Sequence, residues 1–200
     1  MRLLGLTGPS GGGKSTVSAF LEQKGIPVIN ADMVYRQLLI PPSPCLDDLT
    51  QRFGQGILTE SGELNRKALA AIVFSDADAL SDLNRISHGH IMAEVERQIK
   101  ELENKGVSVA VFDAPQLFEA GAERLCDLVV SVLAPLPLRL ERIMRRDGID
   151  KKAAMRRIQS QYDDEFFIAH SDVIIQNSSD LSALEPQLQE LLQRLEVGAQ

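Results

Sequence analysis

Gly8-Pro9-Ser10-Gly11-Gly12-Gly13-Lys14-Ser15-Thr16 matches the pattern G-x-x-x-x-G-K-[ST] in full. These residue types at this spacing suit the cradling of a polyphosphate. Glycines let the backbone curl until several N–H groups point at one cluster of phosphate oxygens. Lys14 adds a point charge toward the terminal phosphates, and Ser15 offers a hydroxyl to Mg²⁺. A helix starting at the loop favours anions at its N-terminus. Gly8, Gly11, Gly12, Gly13, Lys14, Ser15 and Thr16 are therefore candidates for holding ATP or GTP. The competing reading is a plain glycine-rich turn. It leaves unexplained the apolar strand Arg2–Leu6 that enters the loop and the helical pattern Ser15–Gln23 that leaves it.

Two carboxylates and a group of cations extend the chemistry. Asp32 follows the apolar run Ile26–Asn30, where it would accept the proton of an attacking hydroxyl, or alternatively cap a helix over Met33–Leu39. Asp113 closes the run Val107–Asp113. It would complete an Mg²⁺ shell or serve as a turn residue before Ala114-Pro115. Arg139, Arg142, Arg145, Arg146, Lys151, Lys152, Arg156 and Arg157 crowd into one predicted helix pair. Arg139, Arg142 and Arg146 share a helix face, which suits a cationic lid over a transferring phosphoryl group. The other reading of that cluster is a solvated basic face. His88-Gly89-His90 has two potential metal ligands but no third, so His88 is read as a substrate contact.

Parallel strands position such residues along one edge. Arg2–Leu6, Ile26–Asn30, Val107–Asp113, Asp127–Leu133 and Asp172–Gln176 are short β-branched runs without polar alternation, as parallel strands covered on both faces require. Helical patterns lie between them over Ile91–Asn104, Leu136–Arg146, Lys151–Gln161 and Leu181–Leu195. The alternation predicts an α/β fold with a five-stranded parallel sheet. Ligands of such sheets bind beyond the strand C-termini, where the loop, Asp32, Asp113 and Asn177-Ser178 would meet. The second and third strands are too far apart for a simple crossover, and helix signals fall at Cys45–Phe53, Asn65–Val73 and Asp76–Ile86. The reading is a core over 1–32 and 107–200, a helical insertion over about 33–105 that binds an acceptor, and a lid over about 139–161. Leu117, Phe118 and Ile168 read as core.

The formal net charge is −7, which argues against a general nucleic-acid binder. No apolar run approaches the ~20 residues of a membrane span. Cys45 and Cys126 are the only cysteines, which suits reduced thiols in a cytoplasmic protein. The first strand begins at residue 2, leaving no room in this sequence for a leader. A guanine-reading Asn-Lys-x-Asp is absent after any strand; Asn104-Lys105 precedes one. A small-molecule kinase is the leading class. The alternatives are another phosphate-loop metabolic kinase and a nucleotide-dependent regulator with no acceptor; measurable phosphoryl transfer to a small acceptor would remove the regulator.

Several stretches together resemble the dephospho-CoA kinases. They are Gly5-Leu6-Thr7-Gly8 with the loop, Val28-Ile29-Asn30-Ala31-Asp32 with Arg36, Leu64 to Leu69, and Leu83 to Ile86 ahead of His88. To these add Asp113-Ala114-Pro115 with Leu117-Phe118-Glu119, Arg145 to Gly148, and Ser171 to Asn177. The resemblance implies a three-layer P-loop kinase fold. It implies transfer of the γ-phosphate of ATP to the ribose 3′-hydroxyl of dephospho-CoA, with Mg²⁺, in the last step of coenzyme A synthesis. Asp32 would orient or deprotonate the hydroxyl, and Lys14 with Arg142 or Arg146 would serve the phosphoryl group. Asn177 would lie near adenine, and Arg36, His88 and Asp113 near the acceptor. A monomer or weak homo-oligomer is expected. The sequence departs from the usual pattern at Asn30 for Asp, Gly89 for Pro and Gln116 for Leu.

Overall fold

The computed structural model describes residues 1–178 and 181–197. The first apolar run forms β1 (Arg2–Thr7), and the glycine loop hands over to α1 (Lys14–Gln23). Gly25, at φ +81°, turns the chain into β2 (Val28–Asn30). Then follow α2 (Ala31–Leu38), α3 (Pro44–Phe53), α4 (Arg66–Val73) and the 28-residue α5 (Ala77–Asn104). The chain returns through β3 (Val109–Asp113) and β4 (Leu128–Leu133). It continues through α6 (Leu136–Asp147), α7 (Lys151–Gln159), α8 (Asp164–His170), β5 (Val173–Gln176) and α9 (Leu181–Val197).

The sheet has the order β2-β3-β1-β4-β5. β1 lies centrally and pairs in parallel with β3, Leu6 opposite Asp113, and with β4, Thr7 opposite Ser131. β4 pairs in parallel with β5. Alternate residues supply the two faces. Leu4, Leu6, Val111, Val130, Val132 and Ile175 meet Val17 and Leu21 of α1 and Leu184, Leu188, Leu191 and Leu195 of α9. Leu3, Gly5 and Phe112 fall on the other face, where Gly5 abuts Cys126 and Leu117. Such two-sided burial is why these strands read as unbroken apolar runs.

The chain divides into two compact units, Met1–Ile29 with Leu102–Gln200, and Asn30–Glu101. The second has its own core of Leu39, Cys45, Leu49, Ile57, Leu69, Val73 and Ala79. Its helix starts follow local chemistry. Ser43 Oγ accepts the Leu46 N–H ahead of Pro44, and the Asn65 side chain accepts the Ala68 N–H.

Several expectations change. The segments expected as Asp76–Ile86 and Ile91–Asn104 are one continuous helix, because Gly89 in a helix interior costs only about 1 kcal/mol and does not stop it. α8 went unrecognised, although Asp163 caps it by accepting the Phe166 N–H. Ile168 of α8 is not core; it is 54% exposed. Asn30, not Asp32, caps α2, accepting the Met33 N–H at 2.9 Å.

The tight face at β1 gives a stability test. A Cβ on Gly5 would lie 2.7 Å from Cys126 Sγ and 3.0 Å from Leu117 Cδ2. Gly5→Ala should therefore cost about 1–3 kcal/mol in urea unfolding. Cys126→Ala in the same chain should restore part of that loss; a Gly5→Ala protein as stable as the parent would contradict the packing.

Candidate active site

The loop follows β1 and takes its shape from three glycines in the left-handed region: Gly8 at φ +132°, Gly11 at +79° and Gly13 at +101°. It also sits against neighbouring backbone. A Cβ on Gly8 would lie 2.5 Å from the Val132 carbonyl oxygen, and one on Gly12 2.3 Å from the same atom. Gly12 N–H donates to the Pro9 carbonyl at 3.0 Å, closing a turn inside the loop. Gly13 then provides the N-terminal boundary of α1, so the first helical N–H groups follow directly. The glycines thus let the backbone turn tightly against β4 and α6, and a curled backbone of this kind suits a polyphosphate. Lys14, half-buried, donates to the Gly8 carbonyl at 3.2 Å, while Ser15 is exposed in the first turn of α1.

The carbonyls of the loop are held from outside. Arg139 Nε donates to the Ser10 carbonyl at 3.1 Å. Arg142 Nη1 donates to the carbonyls of Gly11, at 3.1 Å, and Gly12, at 3.4 Å. Its Nη2 reaches the Asn177 carbonyl and side-chain oxygens at 3.4 and 3.3 Å. Asn177 Nδ2 in turn donates to the Gly12 carbonyl at 2.9 Å. A carbonyl drawn outward turns the N–H of its own trans peptide the other way. These contacts therefore orient the amides of Gly11 and Gly13.

Arg139 is 4% exposed. Burial pulls its guanidinium below the usual arginine range, and the nearby Asp164 carboxylate opposes that shift. Asp164 accepts from Arg139 Nη1 at 3.0 Å. The expectation that Arg139, Arg142 and Arg146 act as one mobile cationic face thus changes. Arg139 and Arg142 are engaged with loop backbone. Arg146, further along α6, is exposed and pairs with Asp147 at 2.7 Å. Arg157 of α7 pairs with the same carboxylate. α6 and α7 share a small core of Leu140, Ile143 and Ala154, and Gly148 makes the turn between them at φ +64°.

The other expected residues fall as follows. Asp113 is buried at the end of β3, beside Leu6 of β1. Thr16 is half-buried in the first turn of α1. In the Asn30–Glu101 unit, Asp32 and Arg36 are exposed on α2, one turn apart. His88 and His90 lie two residues apart on continuous α5, so they point in different directions. His90 meets Asp48 at 2.7 Å. Among the described residues no three His, Cys, Asp or Glu side chains form a metal-binding group. Sequence reasoning missed Gln161, which accepts the Ser10 N–H at 2.9 Å, and Asp164 behind Arg139. No motif marks Gln161. The run Asp163-Asp164-Glu165 before two phenylalanines is a helix-start signature that would have located Asp164.

A glycine cradle after the central strand of a parallel sheet, at the strand C-terminal edge, defines a P-loop kinase fold. The family profile for dephospho-CoA kinase matches residues 2–183. The chain belongs to the dephospho-CoA kinase family. It is 40% identical over 198 residues to a dephospho-CoA kinase of Syntrophotalea carbinolica, covering 99% of this chain and 94% of that one. Among solved structures it is similar to TT1252 from Thermus thermophilus, with a TM-score of 0.81, 29% identity and 97% of each chain covered. It is also similar to the dephospho-CoA kinase of Campylobacter jejuni, with a TM-score of 0.73, 28% identity and 100% of each chain covered.

The helical hairpin carries a pH signature. Hydrogen bonds from Arg146, with the charge of Arg157 adding to them, hold the Asp147 carboxyl at about 2. A depressed carboxyl stabilises the fold above its unfolded value of about 3.9, and that support is lost as pH falls through the folded value. Asp147→Asn should therefore loosen the hairpin at pH 7, seen as faster amide exchange in α7, and the parent should match it only near pH 2. Equal exchange at pH 7 would show that the ion pairs contribute nothing.

Proposed function

We propose that this chain transfers the γ-phosphate of ATP to the ribose 3′-hydroxyl of dephospho-CoA, giving CoA and ADP. The observation that carries the reading is the family match across residues 2–183, with an intact phosphate cradle inside it. Membership of a kinase family supports ATP as the donor and a small molecule as the acceptor.

In this reading the inward amides of the loop and the Lys14 ammonium hold the β- and γ-phosphates, where they stabilise charge as the bridging bond breaks. Ser15 and the buried Asp113 are suited to hold Mg²⁺, which when bound neutralises charge on the phosphate oxygens. Asp32 accepts the proton of the 3′-hydroxyl as its oxygen forms the bond to phosphorus and the bond to ADP breaks. Its position supports this role, because Asn30 has taken over helix capping and the Asp32 carboxylate stays exposed. Arg36 and His88, in the same helical unit, bind the acceptor. Arg146 closes on the phosphoryl group, whereas Arg142 serves through the loop and through Asn177, which lines the adenine side. No described helix is long and apolar enough to cross a membrane.

The reading is tested by ATP consumption with dephospho-CoA, adenosine, nucleoside monophosphates and shikimate as acceptors. Turnover should be confined to dephospho-CoA; preference for another acceptor would overturn it. Asp32→Asn should lower kcat by about 10²–10⁴-fold while ATP still binds, and an undiminished kcat would remove Asp32 from the chemistry. Arg146→Ala should depress kcat more than acceptor binding, whereas the reverse pattern would make it a binding residue.

A further inference from the structure

One peptide segment of the loop is gripped from both sides by the same part of the chain. The Ser10 N–H donates to Gln161 Oε1 at 2.9 Å. The Ser10 carbonyl accepts from Arg139 Nε at 3.1 Å. Arg139 is held in turn by Asp164, at 3.0 Å from Nη1. Gln161 lies just beyond α7, and Asp164 opens α8. The short junction between those helices thus reaches Ser10 twice, once directly and once through a buried arginine. These contacts span more than a hundred residues of sequence, 151 for Gln161 and 129 for Arg139.

We propose that the α7–α8 junction is a positioning device for the phosphate loop, with Gln161 and the Arg139–Asp164 pair acting through the Ser10 backbone. None of the three touches the reacting atoms in this reading. Both peptides flanking Ser10 are held by the protein's own side chains, so the fold itself aims the amide of Gly11. A preset amide gains its full interaction with a phosphate oxygen and loses less conformational freedom on binding. The arrangement also links the loop to the basic hairpin, since α7 leads directly into Gln161. Burying Arg139 is costly for a guanidinium. Its partners are a carboxylate and a loop carbonyl, so its burial serves this one geometry.

The inference rests on the loop being the ATP site, and its test is separable from the identity of the acceptor. ATP affinity is measured first, by equilibrium titration with ATP in the presence of Mg²⁺, without acceptor. Gln161→Met keeps the side-chain length and removes the acceptor oxygen. It should weaken ATP binding by roughly five- to twentyfold, the loss of one well-placed hydrogen bond. Asp164→Ala, which frees Arg139, should give a loss of the same kind. The double variant should lose less than the product of the two factors, because both act on Ser10. In turnover assays the KM for ATP should rise while the KM for dephospho-CoA stays within about twofold. ATP affinity unchanged in both variants, strictly multiplicative losses, or an effect confined to the acceptor KM would overturn the proposal. Failure of the parent to phosphorylate dephospho-CoA would instead overturn the proposed reaction and leave the titration result standing on its own.

Discussion

The Val132 carbonyl is the surface on which the phosphate loop rests. β1 and β4 pair with Thr7 opposite Ser131, so the next residues, Gly8 and Val132, meet where the loop begins. The approach is so close that neither Gly8 nor Gly12 has room for a Cβ. The neighbouring strand therefore sets how the loop must run. Everything catalytic in the reading above requires this, because amides converge only if the chain can pass within contact of β4. The order β3-β1-β4, with the loop strand in the middle, supplies a partner on either side of β1.

A second layer completes the shape. Side chains from α6, from the α7–α8 junction and from the end of β5 take up the outward-facing polar groups of Ser10, Gly11 and Gly12. In an acidic chain, cations are thus concentrated where they serve backbone carbonyls as much as phosphate. The division within α6 follows depth. Arg139 is buried, Arg142 is partly buried and bound to the loop, and Arg146 is exposed and paired with a surface carboxylate. Preorganised dipoles of this kind stabilise developing charge without rearrangement at the moment of reaction.

The parts of this protein that are local in sequence were readable from it. The glycine–lysine loop, the strand runs and the acidic residues at strand ends follow from short-range rules. So did the sheet, because parallel strands covered on both faces have a distinctive lack of alternation. Legibility failed where a decision depends on distant residues. Gly89 resembles a break until α5 is seen to run through it. Arg139 resembles its neighbours Arg142 and Arg146 until the Ser10 carbonyl and Asp164 are placed around it. Gln161 has no local pattern at all, since its role exists only through a partner at the other end of the chain. Asp32 resembled a helix cap, and only the fold shows that Asn30, the unusual residue at that position, holds the cap instead.

The braces of the loop have an order in time as well as in space. The loop is made early in synthesis, whereas Arg139, Arg142, Gln161 and Asn177 come late; Asn177 meets Gly12 across 165 residues. β1 likewise waits for both of its neighbours. Contacts this distant close slowly, because chain entropy is lost before they form. A nascent chain on the ribosome would carry a complete glycine motif long before it could grip a nucleotide. Acquisition of ATP binding would then coincide with arrival of the final strand, making the nucleotide a reporter of finished folding and a stabiliser only of completed molecules.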